Sequence, residues 1–301
     1  MDSLYTKTGI SSFALRGLAI SKSSFQKQIA YLKKNYEIIS LKQYLGRKKN
    51  NESLKGVAVI TFDDGFKDFK EVALEILEKN KCPATVFVIG KNEHRNFWRS
   101  ELYAILDLSK KREHKFITAA GLPINISLID GKHKYESLLL LLEYMDKISD
   151  ENRKVALLKL KKELDVYEDD ILGNLFLGKE DLKILVEAGI EIGAHSLSHK
   201  DLTLLKEEEL KKEIDESIDY IKSIKGSNEI YFSVPFAKIN NKVSDYLKST
   251  NLSCVLICQG RLNRKDEDIF KLKRLFIHNG NLAQFAYQVC GAQMFFNRVI
   301  R

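Results

Sequence analysis

Proline is scarce in this sequence, with three residues in 301. No Ser/Gly/Pro-rich stretch interrupts the chain, so no flexible linker marks a domain boundary. No run of 18 or more apolar residues occurs, which argues against a membrane-spanning helix. Residues 1–7 have neither a basic stretch nor an apolar core, so no signal peptide is expected. The location expected from this is the cytoplasm, including the inner face of the membrane. The four cysteines, Cys82, Cys254, Cys258 and Cys290, contain no Cys-x2-Cys pair. That disfavours a zinc site built on thiolates and fits a reducing compartment. Cys254 and Cys258 flank Val255-Leu256-Ile257 and read as small buried strand residues. No internal repeat is present. No basic run interleaved with aromatics stands out either, so nucleic-acid binding is disfavoured.

What is present is the composition of an ordinary globular protein, 44% hydrophobic and 30% charged. The length allows one barrel-sized domain or two smaller ones. Net charge is +8. The lysines are mixed with glutamates over helix faces, which describes a solvated surface that can still attract an anionic substrate or membrane.

One stretch organises the chain. Val57-Ala58-Val59-Ile60-Thr61-Phe62 reads as a buried strand and stops at Asp63-Asp64-Gly65. Phe69, Val72, Ala73, Ile76 and Leu77 then recur at helical spacing. The two aspartates therefore sit on a strand-to-helix turn at the carboxyl end of a parallel strand, where α/β sheets and barrels place their chemistry. Adjacent carboxylates repel, and burying either requires a cation or hydrogen-bond donors. A metal ion would meet that need; a helix cap with both aspartates solvated is the plainer alternative.

Around this turn the pattern alternates. A helix is expected from Ser23 or Ser24 through Tyr36, and a strand at Glu37–Ser40. Further strands are expected at Ala84–Ile89, Ile190–Ala194, Glu229–Val234, Leu252–Ile257 and Leu272–Ile277. Helices are expected at Lys179–Glu187, Leu205–Ile224, Val243–Lys248 and Leu282–Val299. Residues 91–178 break the rhythm and read as an insertion. It carries a helix over Phe97–Ser109, a hairpin around Gly121-Leu122-Pro123, and two helices within Tyr135–Leu164. The expected fold is α/β, a distorted (β/α)7-type barrel with a mainly helical insertion, forming a single domain over 1–301. His94, His114 and His133 lie among charged residues and are expected to face solvent.

The second informative stretch is Gly193-Ala194-His195-Ser196-Leu197-Ser198-His199, just beyond a strand. Histidines four apart in a helical turn share a face and can reach one ion. Both stretches follow strands of one α/β pattern, so both should open onto the same face. The economical combination is a metal held by His195, His199 and one aspartate, with the other aspartate free as a base. Two more strand ends are candidates. Pro235, in Ser233-Val234-Pro235-Phe236, either shapes a rigid turn or merely ends a strand. His278 is either a general acid or a polar loop residue.

Taken together, these motifs resemble the polysaccharide deacetylases, the NodB-type domain of carbohydrate esterase family 4. Thr61-Phe62-Asp63-Asp64-Gly65 is similar to the first motif of that family. His195-Ser196-Leu197-Ser198-His199 is similar to the second, and Ser233-Val234-Pro235-Phe236 to the third. The resemblance implies Asp63 as general base and Asp64, His195 and His199 as ligands of a divalent metal ion, most often zinc. It implies an oxyanion donor in the backbone N–H of Phe236 beside Pro235, and His278 as general acid. Ser233 stands where the family often has an arginine that steadies the catalytic aspartate; Arg274 and Lys238 are the two replacement cations. No equivalent of the fourth motif's Asp and Trp is found, and the one tryptophan is Trp98.

The function this implies is metal-dependent removal of an N-acetyl group from an N-acetylhexosamine in a polysaccharide or glycolipid precursor. The expected partner is an N-acetylated sugar, as a glycan or lipid-linked, with no nucleic acid. Peripheral membrane association is compatible with the basic charge and the amphipathic C-terminal segment, and the sequence carries no signature of an oligomeric state. Three alternatives remain open at this stage: hydrolysis of a small amide or cyclic imide, a non-catalytic carbohydrate-binding homologue, and a basic membrane- or nucleic-acid-binding protein.

Overall fold

The computed structural model describes residues 5–6, 9–90, 97–167 and 175–291. The chain forms two compact units. The smaller comprises Met1–Ser24, Phe97–Asn174 and His278–Gly280; the larger comprises Phe25–Asn96, Leu175–Ile277 and Asn281–Arg301.

In the larger unit, six parallel strands lie side by side in chain order: Thr61–Phe62, Thr85–Val88, Glu191–Ala194, Ile230–Ser233, Leu252–Ile257 and Leu272–Lys273. Glu37–Ile38 pairs in parallel with Val57–Ala58. The stretch expected as one strand over 57–62 changes partner midway. Ile39 N–H donates to Ala58, and Thr85 N–H donates to Ile60. Counted as one, it brings the unit to seven strand positions, as a distorted (β/α)7-type barrel requires.

Alternation along the strands divides the core in two. Val86, Val88, Ile192, Ile230, Phe232, Val255 and Ile257 pack outward against helices, with Leu77, Leu185, Ile214 and Leu247. Phe87, Tyr231, Cys254, Leu256 and Leu272 point the other way and cluster with Ile39, Leu41 and Tyr44, packed by Val57 and Val59. Side chains from the first and last strand positions thus share one cluster. Six flat strands would hold the edge strands about 24 Å apart at the normal spacing. The sheet is therefore curled around this inner cluster.

Several boundaries differ from the sequence expectation for local reasons. The last strand covers Leu272–Lys273 rather than running to Ile277. Its neighbour ends at Ile257, whose carbonyl takes the Arg274 N–H at 3.0 Å, so no ladder partner remains beyond. The first helix of the unit spans Lys22–Asn35. Its first turn is capped by the Ser21 hydroxyl, which accepts the Ser24 N–H, rather than by Ser23 or Ser24. After the Asp-Asp-Gly turn, Phe69–Ala73 forms a π-helical turn before the α-helix Leu74–Asn80 begins. The C-terminal helix covers Leu282–Val289, and residues 292–299 of the expected helix lie outside the described residues.

The smaller unit contains the helix Trp98–Leu108, the antiparallel hairpin Glu113–Ile117 with Pro123–Ser127, and helices Gly131–Asp146 and Asp150–Glu163. Ser149 separates the last two helices by accepting the Asn152 N–H, an N-cap that the leucine-rich pattern hides. A fully buried Lys134 pairs with Asp107 at 2.6 Å. Asp107 also accepts the Ser12 N–H and hydroxyl and the Ser11 hydroxyl. These donors offset the cost of burying the pair and tie the N-terminal segment to the insertion. Trp98 is buried, with the guanidinium groups of Arg99 and Arg153 4.2 and 4.7 Å from the centre of its ring. Among the described residues, no helix is long and apolar enough to cross a membrane.

Gly193 shows how tightly the curled sheet is filled. A Cβ there would lie 2.5 Å from the Phe87 ring and 3.0 Å from the Tyr231 carbonyl oxygen. Gly193→Ala is expected to destabilise the protein by about 2 kcal/mol through overpacking, read as a lower urea midpoint. An unchanged midpoint would show that Phe87 can move aside.

Candidate active site

The site lies at the carboxyl ends of the strands of the larger unit. After Phe62 the chain leaves the sheet. Asp64 takes a left-handed conformation with φ of 68°, and Gly65 follows at 73°. A side chain on Gly65 would meet Val88 Cγ1 at 2.7 Å, so glycine is required on both counts. The turn rotates Asp64 away from Asp63, and the two carboxylates acquire separate partners.

Asp63 faces a cation. Arg274 donates Nη1 to Asp63 Oδ1 at 2.8 Å and Nη2 to Oδ2 at 2.7 Å. The same guanidinium donates to Thr61 Oγ1 at 3.1 Å and to Ser233 Oγ at 2.7 Å. This planar, two-pronged grip is the arrangement that favours arginine over lysine. Of the two replacement cations left open by the sequence, Arg274 therefore meets Asp63. Lys238 instead pairs with Asp201 at 2.6 Å. Burial by itself would raise the Asp63 carboxyl; Arg274, with His195 behind it, outweighs burial and holds it far below the usual carboxylate range.

Asp64 faces two imidazoles. Its Oδ1 lies 3.4 Å from His195 Nε2 and 3.4 Å from His199 Nε2. The buried His195 ring is oriented from behind, with Nδ1 2.7 Å from the Ser233 carbonyl. A carbonyl can only accept, so Nδ1 carries a proton and Nε2 is the nitrogen turned toward Asp64. Without an ion, burial lowers the His195 pKa, but Asp63 and Asp64 together outweigh this and raise it.

These three residues can hold a metal. One ligand atom from each of Asp64, His195 and His199 falls within 4.8 Å of the others. Ligands about 2.0–2.1 Å from a tetrahedral ion lie about 3.4 Å from one another, which matches the two spacings to Asp64. The donor set, two neutral imidazoles and one carboxylate, suits a divalent ion with an open position. Asp63 stays outside this set, with Oδ2 4.0 Å from His195 Nε2.

The loop carrying the histidines is bent twice. Ser196 and His199 have φ of 60° and 56°. The Ser196 hydroxyl accepts the His199 N–H at 3.0 Å, and the His195 N–H extends the sheet to the Val88 carbonyl. Phe236 and Ala237 follow the buried Pro235, also left-handed, with φ of 56° and 55°. The Phe236 ring is half exposed and lies 4.5 Å from the His199 ring, forming a wall beside the three ligands. Each left-handed non-glycine residue costs roughly 1–2 kcal/mol, so this conformation is held by its surroundings.

Asp63, Asp64, His195, His199, Pro235 and Phe236 all come from the larger unit. His278 belongs to the smaller unit, where its Nδ1 would lie 3.3 Å from a Cβ on Gly17. Cys254 is buried in its strand as expected, whereas Cys258 is half-buried just past the strand end. Two contributors were missed in the sequence. Ser233 does not leave a gap where the arginine is absent; its hydroxyl accepts from Arg274 and its carbonyl from His195. Glu213, buried in the helix Glu207–Lys225, binds the loop between the two histidines. Its signal was available, because it is a carboxylate on the same buried stripe as Leu210, Ile214, Ser217 and Ile221.

Comparisons with known proteins give the family and the fold. A family model described as polysaccharide deacetylase matches residues 50–255. The poly-beta-1,6-N-acetyl-D-glucosamine N-deacetylase of Staphylococcus aureus is 35% identical over 114 residues, 37% of this chain and 37% of that protein. The match thus spans little more than a third of that relative's length. The Streptococcus pyogenes deacetylase PplD, solved in complex with acetate, superimposes with a TM-score of 0.57 at 17% identity, covering 89% of this chain and 86% of that one. IcaB from Ammonifex degensii gives 0.57 at 16% identity, covering 92% and 91%. At such identities the structural likeness is one of fold, a distorted barrel. The family match covers well over half of the chain and contains both the aspartate pair and the two histidines: this protein belongs to the polysaccharide deacetylase family.

Proposed function

We propose that this protein is a zinc-dependent N-deacetylase acting on an N-acetylhexosamine within a polysaccharide or glycolipid precursor. The observation that carries this reading is the pairing of two carboxylates in two environments. Asp64 stands with His195 and His199 in a ligand set, and Asp63 stands beside it, clamped and ionised by Arg274. The name of the staphylococcal relative supports an N-acetylglucosamine polymer as the substrate class.

When bound, the ion supplies Lewis acidity to the acetyl carbonyl and to the attacking water. Asp63 accepts the proton of that water as its oxygen bonds to the carbonyl carbon. Its low affinity for protons keeps it ionised and ready over the working pH range. The Phe236 N–H donates to the developing oxyanion, a contribution of about 3–4 kcal/mol at comparable sites. The C–N bond then breaks as the departing nitrogen takes up the proton that Asp63 accepted, and acetate and a free amino sugar leave. The Phe236 ring lines the groove where the sugar lies. The Arg274 clamp favours this catalytic reading over a sugar-binding role without chemistry, because sugar binding does not require a carboxylate held ionised beside the ligand set.

Acetate release from N-acetylglucosamine oligomers, with Asp63→Asn as control, tests the reaction. Release by the zinc-loaded protein that falls at least about 10²-fold in Asp63→Asn, with zinc still bound, is expected. Full activity in the variant would remove Asp63 as the base. His199→Ala is expected to lose stoichiometric zinc by elemental analysis, and unchanged zinc content would remove His199 as a ligand.

Arg274 sets the pH range. Removing its charge leaves burial to favour the neutral carboxyl, so the Asp63 pKa rises. In Arg274→Met, the acid limb of the kcat/KM profile is therefore expected to move to higher pH, with activity lost earlier as pH falls. Arg274→Lys should move it less, since the charge remains and the fork is lost. Superimposable acid limbs in Arg274→Met and wild type would show that the clamp does not govern ionisation of the base.

A further inference from the structure

The loop between the two histidines is held by a group that belongs to neither the base nor the ligand set. Glu213 is 5% exposed, on the inner stripe of the helix Glu207–Lys225. The Leu197 N–H donates to its Oε2 at 3.1 Å, the Ser198 N–H donates to the same oxygen at 2.9 Å, and the Ser198 hydroxyl donates to Oε1 in a short contact. Among the described residues, no lysine or arginine pairs with it. Its neighbours on the stripe are Leu210, Ile214 and Ile218, where an apolar residue would be the ordinary choice.

Leu197 and Ser198 are the middle of the His195–His199 segment, and both are buried. Their peptide N–H groups point at Glu213. The Leu197 N–H also donates to the Glu213 main-chain carbonyl at 3.0 Å, but without the carboxylate the Ser198 N–H would be a buried donor with no partner, and the segment would shift to reach water. The shift would not fall equally on the two imidazoles. His195 is tied to the sheet through Val88 and through Ser233. His199 closes the segment in a left-handed conformation, with its N–H on the Ser196 hydroxyl inside the same loop. On the other side, Leu197 lies directly against Gly90, where a Cβ would come within 2.7 Å of Leu197 Cδ1. The loop is thus pressed between a glycine and a buried carboxylate.

We propose that Glu213 is a positioning residue for the metal site: by fixing the Leu197–Ser198 peptide it places His199 Nε2 against Asp64, so that the ligand set is formed before the ion arrives. This rests on the metal-binding reading given above. Hydrogen-bond geometry, and not the negative charge, is what the role requires. A glutamine can accept both N–H groups through its carbonyl while its amide donates to the Ser198 oxygen.

Zinc affinity by chelator competition, the absorption spectrum of the cobalt(II)-substituted protein and the melting temperature of the metal-free protein separate positioning from general stability. Glu213→Ala is expected to bind zinc about 10–100-fold more weakly and to show a cobalt spectrum altered from the wild-type form. Glu213→Gln is expected to restore both, and Ser198→Ala, which removes one of three bonds, to fall between. Wild-type zinc affinity and an unchanged cobalt spectrum in folded Glu213→Ala overturn the proposal. If Glu213→Ala does not fold, wild-type affinity in Ser198→Ala overturns it, as does a Glu213→Gln variant that is folded but binds as weakly as His199→Ala. Wild-type protein that binds no zinc would instead overturn the metal-binding reading itself.

Discussion

The ion pair between Asp63 and Arg274 is the constraint on which the rest of the larger unit depends. Asp63, with 31% of its side chain exposed, still loses much of its water, a cost that pairing and hydrogen bonding offset. Here both oxygens are taken by one guanidinium, which also holds Thr61 and Ser233. These partners come from the first strand of the six, from its end, and from the fourth strand. Arg274 itself follows the last. One side chain therefore fastens the two edges of the curled sheet to each other and to its middle. A flat sheet would leave Asp63 without its cation, so curvature and ionisation of the carboxylate support one another.

The second consequence is a division of labour between neighbours. Asp63 and Asp64 are consecutive, chemically alike and both near His195, yet they differ in environment. The left-handed turn at Asp64 sends one carboxylate to the arginine and the other to the imidazoles. Five of the eight non-glycine residues with positive φ among those described, Asp64, Ser196, His199, Phe236 and Ala237, lie in this one region. Strain concentrated in this way requires a rigid frame. The frame is the alternating core: Val86, Val88, Phe232 and Ala194 pack against the helices, while Phe87 and Tyr231 fill the interior. Gly65, Gly90 and Gly193 let the backbone pass where a side chain would collide. Glu213 reaches the histidine loop from a helix of that frame, and Arg274 reaches Asp63 from just beyond the last strand.

The elements and the chemistry were legible in the sequence to different depths. Strand and helix periods located the parallel strands, and the two motifs at strand ends identified the aspartates and histidines, because these signals are local. Boundaries failed where a neighbour decides them. The strand at Leu272 stops early because its partner ends at Ile257, and the 57–62 stretch changes partner in its middle. Glu213 went unread because the many exposed charges of its helix mask its place on the apolar stripe of Leu210, Ile214 and Ile221.

By itself the sequence determined the fold class, the two carboxylates at one strand end and the two imidazoles at another, since each rests on spacing within a few residues. The tertiary structure decided which cation answers Asp63, which aspartate joins the histidines and what holds their loop. Arg274 and Asp63 are 211 residues apart and meet when the sheet curls. Lys238 was equally near in type, but it is drawn to Asp201. Charge partners of this kind are chosen by closure of the fold in three dimensions, and no local pattern along the chain encodes them.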